Sequence, residues 1–324
     1  MTLRVEYKRY RRQFLKPLRT ARGEWKVREG FLLRIEDSCN GGISFSEVAP
    51  IPEFGTETIK AADNFLRARA ADSNLCCPDS LPCCQFALSV PLTGTTNRSF
   101  ATADISALLP AGENAINILT AKQAAGHRNF KWKIGAFSLD DELRIAQQLF
   151  EQLSEGQQLR FDANASLSED AFKRWLGVLQ PYRDRVDYLE QPLPVGEEAR
   201  MQSFGEAAGI DIALDESLNG LSGKQFLAMD EWSGVYVLKP LLAGGINHIR
   251  EHLSNKSGRV VFSSAFETDV GVSNVFTLVE GSDKPIRPLG FDTRDAFEDS
   301  LVMSGSSSVR PLSSDEKEAM WNSI

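Results

Sequence analysis

Short apolar runs that end on a charged residue recur four times between Gln158 and Pro240. Leu159-Arg160-Phe161 runs into Asp162, and Val186-Asp187-Tyr188-Leu189 runs into Glu190. Ile210-Asp211-Ile212-Ala213-Leu214 runs into Asp215, and Val235-Tyr236-Val237-Leu238 into Lys239. Each run has the length and the β-branched or aromatic content of a buried strand, and helix-like segments separate them. Strand–helix alternation implies parallel βαβ units. Parallel strands point one way, so their last residues gather at one face, which in a (β/α)8-type barrel is where active sites are built. The pattern predicts that three carboxylates and a lysine meet there.

The same reading extends along the chain. Strands are expected near residues 116–119, 130–134, 159–162, 186–190, 210–215, 235–239, 260–263 and 288–291. A helix over 139–153 carries Leu143, Ala146, Leu149, Phe150 and Leu153 as an apolar stripe, with Asp140 and Asp141 in its first turn. Residues 1–105 have a different texture. Strands are expected at 3–10, 30–35 and 43–47, the last after a Gly41-Gly42 turn. The stretch 14–29, with Pro17 and Gly23, reads as a mobile loop of the kind that covers active sites. Helices follow at 56–71 and 82–90. The expected fold is α/β: an α+β capping domain over 1–105 and a TIM-like barrel over 106–303. A serine-rich stretch at 304–308 ends the barrel, and the tail 304–324 packs on the cap.

Composition narrows the function classes. The 324 residues suffice for one large barrel and a smaller domain. A hydrophobic share of 42% and a charged share of 25% are ordinary for a soluble globular protein. Net charge is −8, 36 basic residues against 44 acidic, which argues against a general nucleic-acid surface. No apolar run approaches the roughly 18 residues of a membrane span. Cys76, Cys77, Cys83 and Cys84 resemble a metal knuckle, but vicinal pairs point apart and zinc motifs need spacers between ligands. With Cys39 the total is odd, and no secretory signal is evident, so reduced thiols and a cytoplasmic location are expected. The first 22 residues carry eight Lys or Arg against one acid, but lack serine and alternate as a strand does. They read as part of the fold. The oligomeric state is left open, with a monomer favoured.

Asp162, Glu190 and Asp215 suit a divalent cation with oxygen ligands. Three converging carboxylates repel without one, and Mg²⁺ takes octahedral oxygen coordination with room for substrate oxygens. For a single acid, capping a strand or meeting an arginine is the simpler reading. Three acids at three successive strand ends favour the metal. Lys131 and Lys133 flank Trp132, and alternation turns both to one face, where two ammonium groups depress each other's pKa and prepare one of them as a base. Lys239 approaches from the other side. A small carboxylate that loses its α-proton is the substrate such a set suits, since the negative charge then develops beside the cation.

At these residues the chain resembles the enolase superfamily, in its muconate-lactonising subgroup. The resemblance rests on Lys131-Trp132-Lys133, Phe161-Asp162-Ala163-Asn164, Leu189-Glu190-Gln191-Pro192, Leu214-Asp215-Glu216-Ser217 and Leu238-Lys239-Pro240. It covers most of the chain and implies an α+β cap before a (β/α)7β barrel. Softer motifs resemble the o-succinylbenzoate synthase family within it: Pro17-Leu18-Arg19-Thr20-Ala21 with Gly23, Glu47-Val48-Ala49-Pro50, Ser263-Ser264-Ala265-Phe266-Glu267, and Leu289-Gly290-Phe291-Asp292-Thr293. The resemblance implies a lyase of menaquinone or phylloquinone biosynthesis that dehydrates 2-succinyl-6-hydroxy-2,4-cyclohexadiene-1-carboxylate. Lys133 would remove the α-proton, Mg²⁺ (with Mn²⁺ able to substitute) would sit on Asp162, Glu190 and Asp215, and Lys239 would face the other side of the ring. Asn164 would act behind the metal ligands. Arg19, Thr20, Ser263, Ser264 and Gly290 are candidate substrate contacts. So is Arg160, which could equally hold neighbouring carboxylates.

Rival readings remain on the sequence. An N-acylamino acid racemase or dipeptide epimerase would use Lys239 as a second base. Dipeptide epimerases typically carry an Asp-x-Asp on the eighth strand, where this chain has Gly290-Phe291-Asp292-Thr293. A Schiff-base aldolase built on Lys239 leaves the three carboxylates unexplained, and a barrel that only binds partners predicts no metal-dependent turnover.

Overall fold

A computed structural model describes residues 3–20, 23–90, 99–221, 232–256, 258–279, 287–299, 301 and 309–324, without the side chains of 19–20 and 252–256. The chain opens with a three-stranded antiparallel sheet, β1 (Leu3–Thr20), β2 (Gly23–Asp37) and β3 (Ile43–Val48), in that spatial order. In the stretch 14–29, expected as a mobile loop, the described residues, 14–20 and 23–29, belong instead to the far half of the paired strands β1 and β2. Its register shifts between Gln13 and Leu18. Pro17 falls in that gap, where its missing N–H costs no ladder bond. Phe14 is buried, bridging to Phe297 and lying edge-on to Phe266, so the hairpin is anchored on distant parts of the chain. No local pattern could have announced those partners.

Helix α1 (Ile59–Ala71) starts at Thr58, whose side chain accepts from the Ala61 amide. It buries Ala62, Phe65 and Leu66 against the sheet. Helix α2 (Pro82–Ser89) is capped by Glu57, which accepts from the Cys83 and Cys84 amides. Both of these cysteines are buried, and burial pushes their thiols up.

The barrel begins with β4 (Ser106–Leu109). The strand expected at 116–119 lies inside helix α3 (Asn114–Ala124), which buries Ala115 and Leu119, a helical spacing. Short apolar runs are ambiguous on periodicity alone, and here the helix won. There follow β5 (Asn129–Lys133), α4 (Leu139–Gln152), β6 (Gln158–Asp162), α5 (Glu169–Leu179), β7 (Val186–Glu190), α6 (Glu198–Ala208), β8 (Ile212–Leu214), β9 (Val235–Leu238), α7 (Ile246–Lys256), β10 (Val260–Phe262) and α8 (Asp269–Val279). The seven strands β4 to β10 are parallel, each beside its sequence neighbour.

Among the described residues, single bridges mark the eighth position. Leu289 pairs with Ile105 and Gly290 with Ser263, both in parallel. The Ser106 amide donates to Leu289 O at 2.8 Å and the Gly290 amide to Phe262 O at 2.8 Å, so this segment closes the ring. Trp132, Phe150, Phe161 and Trp175 fill the layer between strands and helices. Truncating any one to Ala is expected to cost about 3–5 kcal/mol. Inside the ring Tyr188, Ala213, Val235, Val237 and Val261 form a small plug.

Buried charges from the cap grip the barrel. Arg28 donates to Ala265 O at 3.0 Å, and Arg12 to Glu267 O at 3.0 Å. Glu47 accepts from the Thr268 amide at 3.0 Å and the Gly271 amide at 3.1 Å, at the start of α8. Helix α9 (Ser314–Asn322) lays Met320 and Trp321 against Tyr10, Leu32 and Phe45 of the three-stranded sheet.

Candidate active site

Strand register builds the site. Lys133 on β5 pairs with Asp162 on β6, and Asp162 pairs with Glu190 on β7. The three side chains therefore form a row across adjacent strand ends. Asp215 lies one residue past β8, and Lys239 one past β9. All five sit at the C-terminal ends of their strands, the face where barrels of this kind place chemistry. The loop after β5 is held by the buried Glu142 carboxylate, which accepts from the Gly135, Ala136 and Phe137 amides.

The pairing within the row differs from the expected lysine–lysine crowding. Lys131 Nζ stands 2.8 Å from both Asp162 Oδ2 and Glu190 Oε1. Burial alone would lower its pKa, but these two carboxylates outweigh burial and hold it well above the usual lysine range. Lys239 donates to Asp215 and is held above its ordinary value for the same reason, again against burial. Lys133 is half-buried and makes no hydrogen bond or ion pair with a described residue. Among the described residues it is the one lysine of the three whose amine has no bonded partner.

The acids are unequal. Burial pushes Asp162 up, but the Lys131 charge and hydrogen bond prevail and hold it below the ordinary carboxylate value. Glu190 is fully buried and is pushed up to about 8 by burial and then by the charge of Asp162. Glu216 rises to about 7, through burial and then the charge of Asp215. So much negative charge in so little water calls for a further cation.

Among the described residues no three carboxylate, imidazole or thiol groups stand together as a ready-made metal cluster. The lysine pairing explains this: Lys131 holds two acids and Lys239 draws the third aside. The donor set nevertheless fits a divalent cation. Asp162 and Glu190 already share one positive centre, and Glu190 Oε2 is buried without a hydrogen-bond partner. An all-carboxylate set with one oxygen left over is the chemistry Mg²⁺ takes.

Other expected residues divide. Asn164 donates from Nδ2 to Glu216 Oε1 at 3.1 Å, and its amide donates to Asp162 Oδ1 at 3.0 Å, so it does lie behind the acidic row. Arg160 does not face the site. It is fully buried and turned to the opposite end of the barrel, its Nε 2.8 Å from Asp187 Oδ2 and its guanidinium over the Tyr188 ring. Alternation correctly turned it inward, but Lys131 fills the rim side and Asp187 sits at the floor. Ser264 is turned into the fold, donating to Glu267 Oε2 at 3.0 Å and accepting from the Phe266 amide and the Thr293 hydroxyl. Ser263 remains half-buried beside Gly290, where a Cβ would come within 3.0 Å of Ser263 Oγ. Arg19 and Thr20 close the hairpin by backbone pairing with Glu24 and Gly23, and their side chains lie outside the described residues.

Three residues near the row were given no role of their own from the sequence. Phe54, in a short 3-10 turn at Pro52–Phe54, places its ring 5.3 Å from Lys239 Nζ. Glu216 and Gln191 each directly follow a strand-end acid, and that adjacency was the available signal. Asp292 is tied down, accepting from Lys122 Nζ at 2.6 Å and from the Leu108 amide at 2.8 Å.

Comparisons with known proteins agree on one family. The family described as Enolase C-terminal domain-like matches residues 116–254. An o-succinylbenzoate synthase of Thermosynechococcus vestitus is 30% identical over 298 residues, 89% of this chain and 92% of that protein. Another from Photorhabdus laumondii is 29% identical over 314 residues, 92% of this chain and 93% of that protein. Among solved structures, o-succinylbenzoate synthase from Thermosynechococcus elongatus, complexed with Mg in its active site, superimposes with a TM-score of 0.84 at 28% identity, covering 99% of this chain and 100% of that one. The L-Ala-D/L-Glu epimerase from Bacillus subtilis has a TM-score of 0.76 at 14% identity, covering 96% of each chain, which is a likeness of fold. No helix among the described residues is long and apolar enough to cross a membrane.

Proposed function

The chain belongs to the o-succinylbenzoate synthase family of the enolase superfamily, and on that premise we propose that it dehydrates 2-succinyl-6-hydroxy-2,4-cyclohexadiene-1-carboxylate to o-succinylbenzoate. The reading is of a lyase acting on a small carboxylate in menaquinone or phylloquinone biosynthesis. The observation that carries it is the Lys133 amine, unpaired among the described residues, at one end of the acidic row, with Lys239 one residue past a strand four positions further round.

In this reading Lys133 Nζ takes the proton α to the ring carboxylate. It then returns that proton to the hydroxyl as the carbon–oxygen bond breaks. Water leaves, and the electron pair of the former C–H bond completes the aromatic ring. A Mg²⁺ held by Asp162, Glu190 and Asp215 supplies positive charge where the substrate carboxylate gathers electron density. Mn²⁺, which takes the same oxygen ligands, is expected to substitute. Lys131 holds Asp162 ionised and offsets part of the upward push on Glu190, and Asn164 orients Asp162 from behind. Lys239, kept charged and backed by the Phe54 ring, faces the opposite side of the electron-rich ring.

Ser263 and Gly290 are taken as contacts where β10 meets the eighth position, and Arg19 and Thr20 as contacts from the hairpin tip. Residues 1–105 are taken as the cap and 106–303 as the barrel. The engagement of Asp292 with Lys122 supports dehydration over dipeptide epimerisation, since that carboxylate is already committed.

The test is ultraviolet-monitored turnover of the cyclohexadiene substrate with Mg²⁺, with EDTA, and with Lys133→Ala. Turnover is expected to vanish in EDTA, to return with Mg²⁺, and to fall by about 10³-fold in Lys133→Ala at unchanged Tm. A folded, Mg²⁺-loaded protein that leaves the substrate untouched would sink the reading. Deuterium exchange into N-acylamino acids would then be measured.

A further inference from the structure

Four non-glycine residues among those described hold a positive φ: Asn164 at 44°, Ala165 at 59°, Gln191 at 36° and Phe266 at 60°. Three of them lie within three residues of the ends of β6 and β7. L-residues avoid this region because Cβ crowds the carbonyl, so such a backbone persists only where neighbouring bonds over-determine it. For Gln191 those bonds are visible. It is fully buried. Its amide donates to Ala213 O at 2.8 Å, and its carbonyl accepts from the Ala165 amide at 2.7 Å. Its side-chain Oε1 accepts from the Asp215 and Ser217 amides, both at 3.1 Å. Nε2 donates to Ser217 Oγ at 2.8 Å and to Leu193 O at 3.1 Å. One residue thus ties the loop behind β6 to the ends of β7 and β8.

Two features set this apart from packing. The β7–β8 ladder ends at the Glu190–Ala213 pair, and the Asp215 amide lies beyond it. Asp215 leaves β8 at φ −125° and ψ −68°, outside the helix and strand regions, so regular structure does not dictate where its carboxylate points. The Gln191 carboxamide fixes the backbone from which that carboxylate projects, while Lys239 holds the carboxylate itself. Gln191 is also covalently joined to Glu190, so one rigid unit sets the spacing of two of the three acids. An apolar side chain of equal size would fill the space but leave buried amides unmet.

We infer that Gln191 is a positioning residue that holds the Glu190 and Asp215 carboxylates at the spacing one divalent cation requires, touching neither ion nor substrate. The inference rests on the reading of Asp162, Glu190 and Asp215 as the metal ligands. Removing a group of this kind typically weakens metal affinity by about 10–100-fold.

Calorimetric titration of Mg²⁺ into the metal-free full chain tests it, using wild type, Gln191→Asn, Gln191→Met, Phe150→Leu and Asp162→Asn. Gln191→Met fills the space without the bonds. Gln191→Asn keeps the carboxamide and suits a positive φ, but is one methylene short of the Asp215 amide. If the Met variant does not fold, the Asn variant carries the test. Phe150→Leu is a buried change on α4 that a merely structural account treats alike. The Gln191 variants are expected to bind Mg²⁺ about tenfold or more weakly, to lose the Mg²⁺-induced rise in Tm, and to regain turnover as Mg²⁺ is raised. Phe150→Leu should lower Tm while keeping Mg²⁺ affinity. Wild-type affinity in folded Gln191→Asn would overturn the inference, as would an equal loss in Phe150→Leu. A wild type that binds no Mg²⁺, or an Asp162→Asn that binds it as tightly as wild type, would overturn the ligand assignment itself and the inference with it.

Discussion

Two clusters of charge occupy opposite ends of one barrel. At the floor, Asp187 takes Arg160 Nε at 2.8 Å and Arg287 Nη1 at 2.5 Å, and Arg287 Nη2 reaches Asp211 at 2.9 Å. Two arginines and two aspartates balance there; β7 bulges at Asp187, but none of the four described non-glycine residues with positive φ lies at this end. The side-chain atoms left over, Arg160 Nη2 and Asn129 Oδ1, are a complementary donor and acceptor. At the rim, Lys131 is shared between two acids, Lys133 and Glu190 Oε2 have no partner among the described residues, and three strained residues stand behind the acids. Balanced burial of charge is architecture. Surplus carboxylates held in place by a strained backbone are prepared for a cation that arrives.

Lys131→Met is the strongest way to break the comparison. In EDTA at pH 8 it leaves Asp162 and Glu190 facing each other in a buried site, at an expected cost of about 3–5 kcal/mol. Mg²⁺ should restore most of that, read as a larger Mg²⁺-dependent rise in Tm than wild type shows. Asp187→Ala is the matching change at the floor. It strands the fully buried Arg160, at an expected cost of about 3 kcal/mol, which Mg²⁺ should not recover beyond the wild-type rise. Its folded fraction should keep kcat/KM within about threefold, since Arg160 is placed away from substrate. Equal rescue of both variants by Mg²⁺ would erase the distinction between rim and floor.

A smaller effect sharpens the comparison on the far side of the rim. Glu267, behind β10, is buried with Oε1 unpartnered, and burial, with a further push from Glu47, raises it from 4.5 to about 7. The folded protein therefore holds this proton more tightly than the unfolded chain does. Its contribution to stability is fully present below about pH 4.5 and declines as pH rises to about 7. Glu267→Gln should flatten that decline by about 1–2 kcal/mol, measured as denaturant midpoints at pH 5 and pH 8. An unchanged slope would show that Glu267 titrates as an ordinary carboxylate.

Much of this was legible in the residues, for physical reasons that also explain the misses. The runs ending at Asp162, Glu190, Asp215 and Lys239 are long, apolar and regularly spaced, so their strands could be read directly. The strand Ser106–Leu109 is four residues of weak β-propensity, and its place went to residues 116–119, whose apolar content also fits a helix. The hairpin over 14–29 was missed because Phe14 is buried by Phe266 and Phe297, more than two hundred residues away.

By itself the sequence determined which acids and lysines stand at strand ends, because strand length, side-chain alternation and parallel direction are local properties of the chain. Tertiary structure alone decided what each one meets. It gave Lys131 to two acids and left Lys133 unpaired among the described residues, turned Arg160 to the floor, and made Gln191 a bridge between strands. Those outcomes depend on which opposite charge or unmet amide lies within about 3 Å once the ring has closed, and closure is a property of the whole chain.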